Sequence, residues 1–134
     1  MITNVEYNAL AQNILTGNQN LLISINPYQK GLTKVSKSKV DKLVIAYEPV
    51  WAIGTGKSCK PVEAQVVNFM IRKILTRIYD RSTAQSVRVI YGGSVDREKA
   101  STFLKETEMK GVLIGGVSLD SVEFIKIVKD VESF

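Results

Sequence analysis

Glu48 follows a short apolar run, "LVIAY", and precedes a proline, an apolar stretch and a glycine-rich turn that ends in lysine. The string from Ala46 to Lys57 reads AYEPVWAIGTGK. A carboxylate at the end of an apolar run, beside Val50 and Trp51, is partly desolvated, which strengthens it as a general base. The competing reading is a structural glutamate held in a salt bridge. Two further glycine clusters follow short apolar runs: YGGSV (Tyr91–Val95) and the GGVS that closes GVLIGGVS (Gly111–Ser118). Glycine lets a backbone N–H approach an anion with no Cβ in the way, and successive N–H groups form an anion-binding concavity. One Gly-Gly pair reads as a tight turn. Two pairs and a third glycine loop, each leading toward a helix N-terminus, favour a phosphate.

The elements that must position these residues repeat one grammar. Leu43–Glu48, Val87–Tyr91 and Gly111–Ile114 are short continuous apolar runs, as expected of strands covered on both faces. A helix is predicted to start at Pro61, with Val62, Val66, Met70 and Ile74 recurring every four residues and Val67, Ile71 and Ile78 beside them. Asp96 is a predicted N-cap for a helix through about Lys105. Asp120 is the N-cap of a last helix, with Glu123 as capping-box partner and Val122, Ile125 and Val128 as one apolar stripe. Three strand–loop–helix units in succession predict an α/β fold with a parallel sheet and helices outside. Ligands of such sheets sit at the carboxyl ends of the strands, where all three glycine loops lie.

Residues 1–42 carry weaker signals. NALAQNIL could form a helix turn or two, Leu21–Ile25 could be strand or helix, and Pro27 would break a helix interior. The stretch TKVSKSKVDK reads as a solvated connection.

The chain has 134 residues, 45% hydrophobic and 23% charged, with a formal charge of +5. That suits one soluble domain, well short of the roughly 250 residues of a full eight-unit barrel. The mild basic excess can attract anionic ligands. Nucleic acid is not expected, because no basic run is interleaved with aromatics. Cys59 is the only cysteine, so an internal disulfide is excluded and a reducing compartment fits. No run approaches the roughly 20 apolar residues of a membrane span, and the N-terminus lacks a signal pattern, so cytoplasm is the expected location. No cluster offers metal-ligand spacing, so neither metal nor cofactor is expected. There is no histidine.

AYEPVWAIGTGK, YGGSV and GVLIGGVSL, in this order and spacing, closely resemble triosephosphate isomerase. The resemblance covers Leu43 to about Val131, and the units look like the sixth, seventh and eighth of that enzyme's barrel. It implies the C-terminal part of a TIM (β/α)8 barrel, with residues 1–134 as one partial domain. It also implies the interconversion of glycerone phosphate and D-glyceraldehyde 3-phosphate in glycolysis and gluconeogenesis. Glu48 would be the base that moves a proton between substrate carbons. Pro49 to Cys59 would be a mobile lid, with Pro49, Val50 and Trp51 as one hinge, Ala52, Ile53, Gly54, Thr55 and Gly56 as the tip, and Lys57, Ser58 and Cys59 as the other hinge. Gly54, Ser94, Gly115 and Gly116 would bind the substrate phosphate, and Tyr91 and Ser94 would latch the closed lid.

Val117 stands where alanine is expected, and Ser58-Cys59 varies the second hinge. Asn8 and Asn13 fall where a glutamate and an arginine of a fifth unit are expected. The family also uses an asparagine and a lysine from the first strand and a histidine from the fourth, which this chain begins too late to hold. The resemblance therefore implies a chain inactive alone: a truncated fragment that at most binds phosphate, or a half-barrel that needs a complementary N-terminal chain. A different phosphate-binding barrel enzyme is the remaining alternative. Family members are homodimers.

Overall fold

Alternation along two short strands organises the molecule. In the computed structural model, which describes residues 31–32, 34–52 and 54–132, β1 (Val44–Tyr47) pairs in parallel with β2 (Arg88–Tyr91). The register places Ile45 opposite Val89 and Tyr47 opposite Tyr91. These four side chains share one face, and all are buried. Val44, Ala46, Arg88 and Ile90 alternate onto the other face, where Val44 is 49% exposed. Val89 is fully buried on the helix side, and Val44 takes the uncovered position in β1. The expectations for Asn8, Asn13, Leu21–Ile25, Pro27 and Ile53 lie outside the described residues.

The third predicted strand, Gly111–Ile114, contracts to a single parallel bridge, Tyr91 to Val112. Lys110 N–H donates to Val89 O (2.7 Å), Tyr91 N–H to Gly111 O (3.1 Å) and Leu113 N–H to Tyr91 O (2.7 Å). The segment thus runs beside β2 on the side away from β1. Among the described residues nothing pairs with its other edge, and a segment paired on one side only has half the ladder to hold it extended.

Helices cover one face of this sheet. The stretch read as a solvated connection contains a short helix, α1 (Lys37–Val40), because Val40 is fully buried and anchors it. Helix α2 (Pro61–Ile78) starts at the predicted proline, and Glu63 accepts the Lys60 N–H (2.9 Å). Its buried face is Ala64, Val67, Asn68, Ile71, Ile74 and Leu75, whereas Val62 is 65% exposed. The expected row at every fourth residue winds about 40° per step around a helix of 3.6 residues per turn, so its early members leave the core side. Helix α3 (Arg81–Ser86) was not expected. Asp80 caps it through Thr83 N–H (2.7 Å) and pairs with Lys37 (2.5 Å). The ammonium of Lys37 and the Thr83 N–H together hold the Asp80 carboxyl down at about 2.

Helix α4 (Arg97–Glu106) is capped by Asp96 as predicted, and α5 (Ser121–Val131) by Asp120 through Val122 and Glu123 N–H. Glu123 gives its carboxylate to Lys126 (2.6 Å). Arg97 and Asp130 join α4 to α5 by a two-point hydrogen-bonded pair. This docking turns Ile127 inward and leaves the stripe Val122, Ile125 and Val128 exposed. Among the described residues no helix is long and apolar enough to cross a membrane.

Candidate functional site

Glu48 continues the alternation of β1 and so falls on the side of Ala46, away from the helices. Gly92 stands across from it, its N–H donating to Tyr47 O (2.8 Å). A Cβ on Gly92 would lie 2.7 Å from Glu48 Cγ and 3.1 Å from its Oε1, closer than packed atoms allow. Gly92 is therefore glycine because the Glu48 side chain occupies that space. Glu48 is half-buried and lines a cavity of about 570 Å³ at the carboxyl ends of the strands. Gly54, Gly56, Gly92, Ser94, Gly115 and Gly116 share this wall.

The segment after Glu48 closes one side of the cavity. Pro49 and Ala52 are buried, while Trp51 is 39% exposed. Val50–Ala52 form a 3-10 turn, with Ala52 N–H on Pro49 O (2.8 Å). Gly54 and Gly56 have φ of +66° and +74°, which glycine adopts without a steric cost. Thr55 Oγ1 donates to Trp51 O (3.1 Å) and accepts from Lys57 N–H (3.2 Å). Ser94 ties this segment from the opposite loop: its hydroxyl donates to Ala52 O (2.7 Å) and accepts from Gly56 N–H (3.1 Å).

Tyr91 makes a second tie. Its hydroxyl accepts the Cys59 N–H at 3.1 Å, and its ring stacks on Phe103 with centroids 3.9 Å apart. A Cβ on Gly93 would come within 2.0 Å of that hydroxyl, so Gly93 makes room for the tie. Burial, with Cys59 close by, pushes the Tyr91 phenol up and keeps it neutral. Cys59 itself is buried, and desolvation pushes its thiol up to about 11. The neutral thiol thus favours the folded state below the ordinary value of 9.0, and this contribution is lost as pH rises from there through 11.

Cys59 can therefore report on how firmly this segment is held. A thiol reagent at pH 8 is expected to label it slowly. Tyr91→Phe removes one hydrogen bond of about 1 kcal/mol and should speed labelling about fivefold with the circular dichroism unchanged. An unaltered labelling rate would mean that Tyr91 does not hold this segment.

The family model for triosephosphate isomerase matches residues 12–131. The chain belongs to the triosephosphate isomerase family. It is 50% identical to the triosephosphate isomerase of Dictyoglomus turgidum over 101 residues, 75% of this chain and 41% of that protein. It is 40% identical to that of Borreliella burgdorferi over 111 residues, 83% of this chain and 44% of the relative. With that of Streptomyces coelicolor it shares 46% over 99 residues, 74% of this chain and 38% of the relative. The chain spans about two fifths of each. The triosephosphate isomerase match starts at residue 12, so it takes in most of the segment whose own signals were weak.

Relative to the triosephosphate isomerase strings, the structure gathers Glu48, Gly54, Ser94, Gly115 and Gly116 around one cavity. Trp51, Ala52, Thr55 and Lys57 belong to the covering segment without lining that cavity. Tyr91 lies buried beneath it. Sequence reasoning missed Lys99 and read Asp96 only as a cap, yet both line the wall. Their spacing of three residues at a helix start was the available signal. Sequence reasoning read the Gly92-Gly93 pair for an anion; both line the cavity, and their missing side chains also make room for Glu48 and Tyr91.

Proposed function

We propose that this chain carries the base, lid and phosphate-binding side of a triosephosphate isomerase active site, within a single partial (β/α)8-barrel domain over residues 1–134. The observation that carries this reading is the position of Glu48 in the wall of a cavity shared with Gly54, Gly56, Ser94, Gly115 and Gly116, with Ser94 hydrogen-bonded to Gly56 and Tyr91 to Cys59.

In the proposed reaction the Glu48 carboxylate takes a C–H proton from the carbon beside the carbonyl and returns it to the former carbonyl carbon. The hydroxyl proton passes to the neighbouring oxygen, so the substrate keeps its atoms and electrons. The lid excludes water, which would otherwise exchange with the moving proton. The substrate phosphate sits between the Gly54 backbone, Ser94 and the Gly115–Gly116 turn. That turn opens the 3-10 segment Gly116–Leu119, whose first backbone N–H groups favour anions.

Handling of the oxygen protons needs a group outside these residues, since the chain has no histidine. Among the described residues nothing pairs with the outer edge of the Gly111–Ile114 segment; with the exposed Leu113 this favours completion by a complementary N-terminal half over a fragment that binds phosphate alone.

Inorganic phosphate titrated against the chain tests the pocket, with Trp51, the only tryptophan, as reporter. A saturable fluorescence change is expected, absent with chloride at equal ionic strength. Gly115→Asp should weaken it about tenfold through like-charge repulsion. A Cβ at Gly115 meets nothing within 4 Å, so the fold tolerates this change. A non-saturable response, or one that Gly115→Asp leaves unaltered, would count against the phosphate site.

A further inference from the structure

Gly56, at the lid tip, is held at both of its backbone polar groups. Its N–H donates to Ser94 Oγ, and its carbonyl oxygen lies 3.4 Å from Lys99 Nζ. Lys99 belongs to the first turn of α4 and is fixed twice by Asp96. Asp96 Oδ1 accepts the Lys99 N–H at 2.9 Å, and Oδ2 lies 2.8 Å from the ammonium. Burial pushes the Asp96 carboxyl up, but the hydrogen bonds and charge of Lys99 outweigh it and hold the group below its ordinary value. Asp96 therefore stays charged and keeps the ammonium aimed. Among the described residues of the cavity wall, Lys99 is the one cationic side chain.

We propose that Lys99, aimed by Asp96, is a positioning residue that ties the lid tip over the cavity through the Gly56 carbonyl. An ammonium–carbonyl contact is charge-assisted, and here it costs little ordering because the first carboxylate has already placed the donor. The tie closes a ring: α4 holds Lys99, Lys99 holds Gly56 O, Ser94 holds Gly56 N–H, and Ser94 precedes the Asp96 cap by two residues. The same ammonium is the charge that an anion in the cavity would meet. That second consequence rests on the phosphate reading; the tie itself does not.

Amide hydrogen exchange of the full chain tests the proposal, read at Gly56 and at Cys59, with the α4 amides as a control for folding. Lys99→Met keeps the aliphatic stem and removes the charge. It should speed exchange at Gly56 about threefold at low salt, with α4 protection unchanged. Lys99→Arg should restore the wild-type rate. Asp96→Asn keeps an N-capping side chain but releases the ammonium, and should fall between the two. High salt should shrink the Lys99→Met effect, since the contact is partly exposed.

Equal exchange in Lys99→Met and wild type overturns the tie. So does equal acceleration in Lys99→Arg, because charge would then not be what holds the lid. Inorganic phosphate should slow Gly56 exchange in the wild type and do so less in Lys99→Met. If phosphate has no effect while Lys99→Met still speeds exchange, the phosphate reading fails and the lid tie stands.

Discussion

Purified alone, the 134-residue chain is expected to interconvert the triose phosphates no faster than a buffer control. In the proposed reading Glu48 supplies the carboxylate for carbon-to-carbon proton transfer, and a positioned base contributes about 10²–10⁴-fold. The developing charge on the carbonyl oxygen must be stabilised as well, and one preorganised donor is worth about 10²–10³-fold. The chain contains no histidine, and Lys99, the cation in the described cavity wall, is committed to Asp96 and Gly56. Mixing with an N-terminal half of a related isomerase should restore turnover, and Glu48→Gln should then lower it by about 10²–10⁴-fold while the fold persists. A coupled assay on the isolated chain decides the first point. Turnover by that chain, abolished by Glu48→Gln, would sink the expectation.

The second large effect concerns association. Leu119 is 91% exposed, Val122 60%, Ile125 52% and Val128 43%. They form the outer stripe of α5 and the turn before it. Phe69 and Val62 on α2 are exposed by 69% and 65%. At about 25 cal/mol per Å², covering a few hundred Å² of such surface is worth several kcal/mol. That is comparable to the whole stability of a small domain, about 5–15 kcal/mol. The chain should therefore self-associate in the micromolar range and bind a hydrophobic dye. The double change Val122→Lys with Ile125→Lys places two charges on the stripe and should shift sedimentation toward the monomer. A wild-type monomer with a sharp cooperative melt and no dye binding would show that these faces are covered by the chain itself.

Local rules made much of this fold legible before any coordinates. Pro61 at the start of α2, Asp96 and Asp120 as caps, and the parallel β1–β2 pair follow from φ preferences, side-chain acceptors and apolar runs, all of which act within a few residues. Helix α3 was hidden because its six residues carry no apolar period, and only the Asp80 cap announces it. The buried faces of α2 and α5 were only partly legible, for a different reason. Which side of a helix is buried depends on the partner it docks against, and Arg97–Asp130 turns α5 away from its most apolar stripe.

The candidate site divides the same way. Residue type and spacing are local properties, and they already place a carboxylate at a strand end and glycine loops after three apolar runs. What surrounds those glycines depends on contacts between distant parts of the chain. Gly92 yields space to Glu48, and Gly93 to a Tyr91 hydroxyl that reaches the Cys59 amide 32 residues away. Ser94 and Lys99 grip the same Gly56 from a loop and a helix more than thirty residues along the chain. Such contacts exist only once β1 and β2 lie side by side, since it is the parallel register that brings the two loops to one end of the sheet.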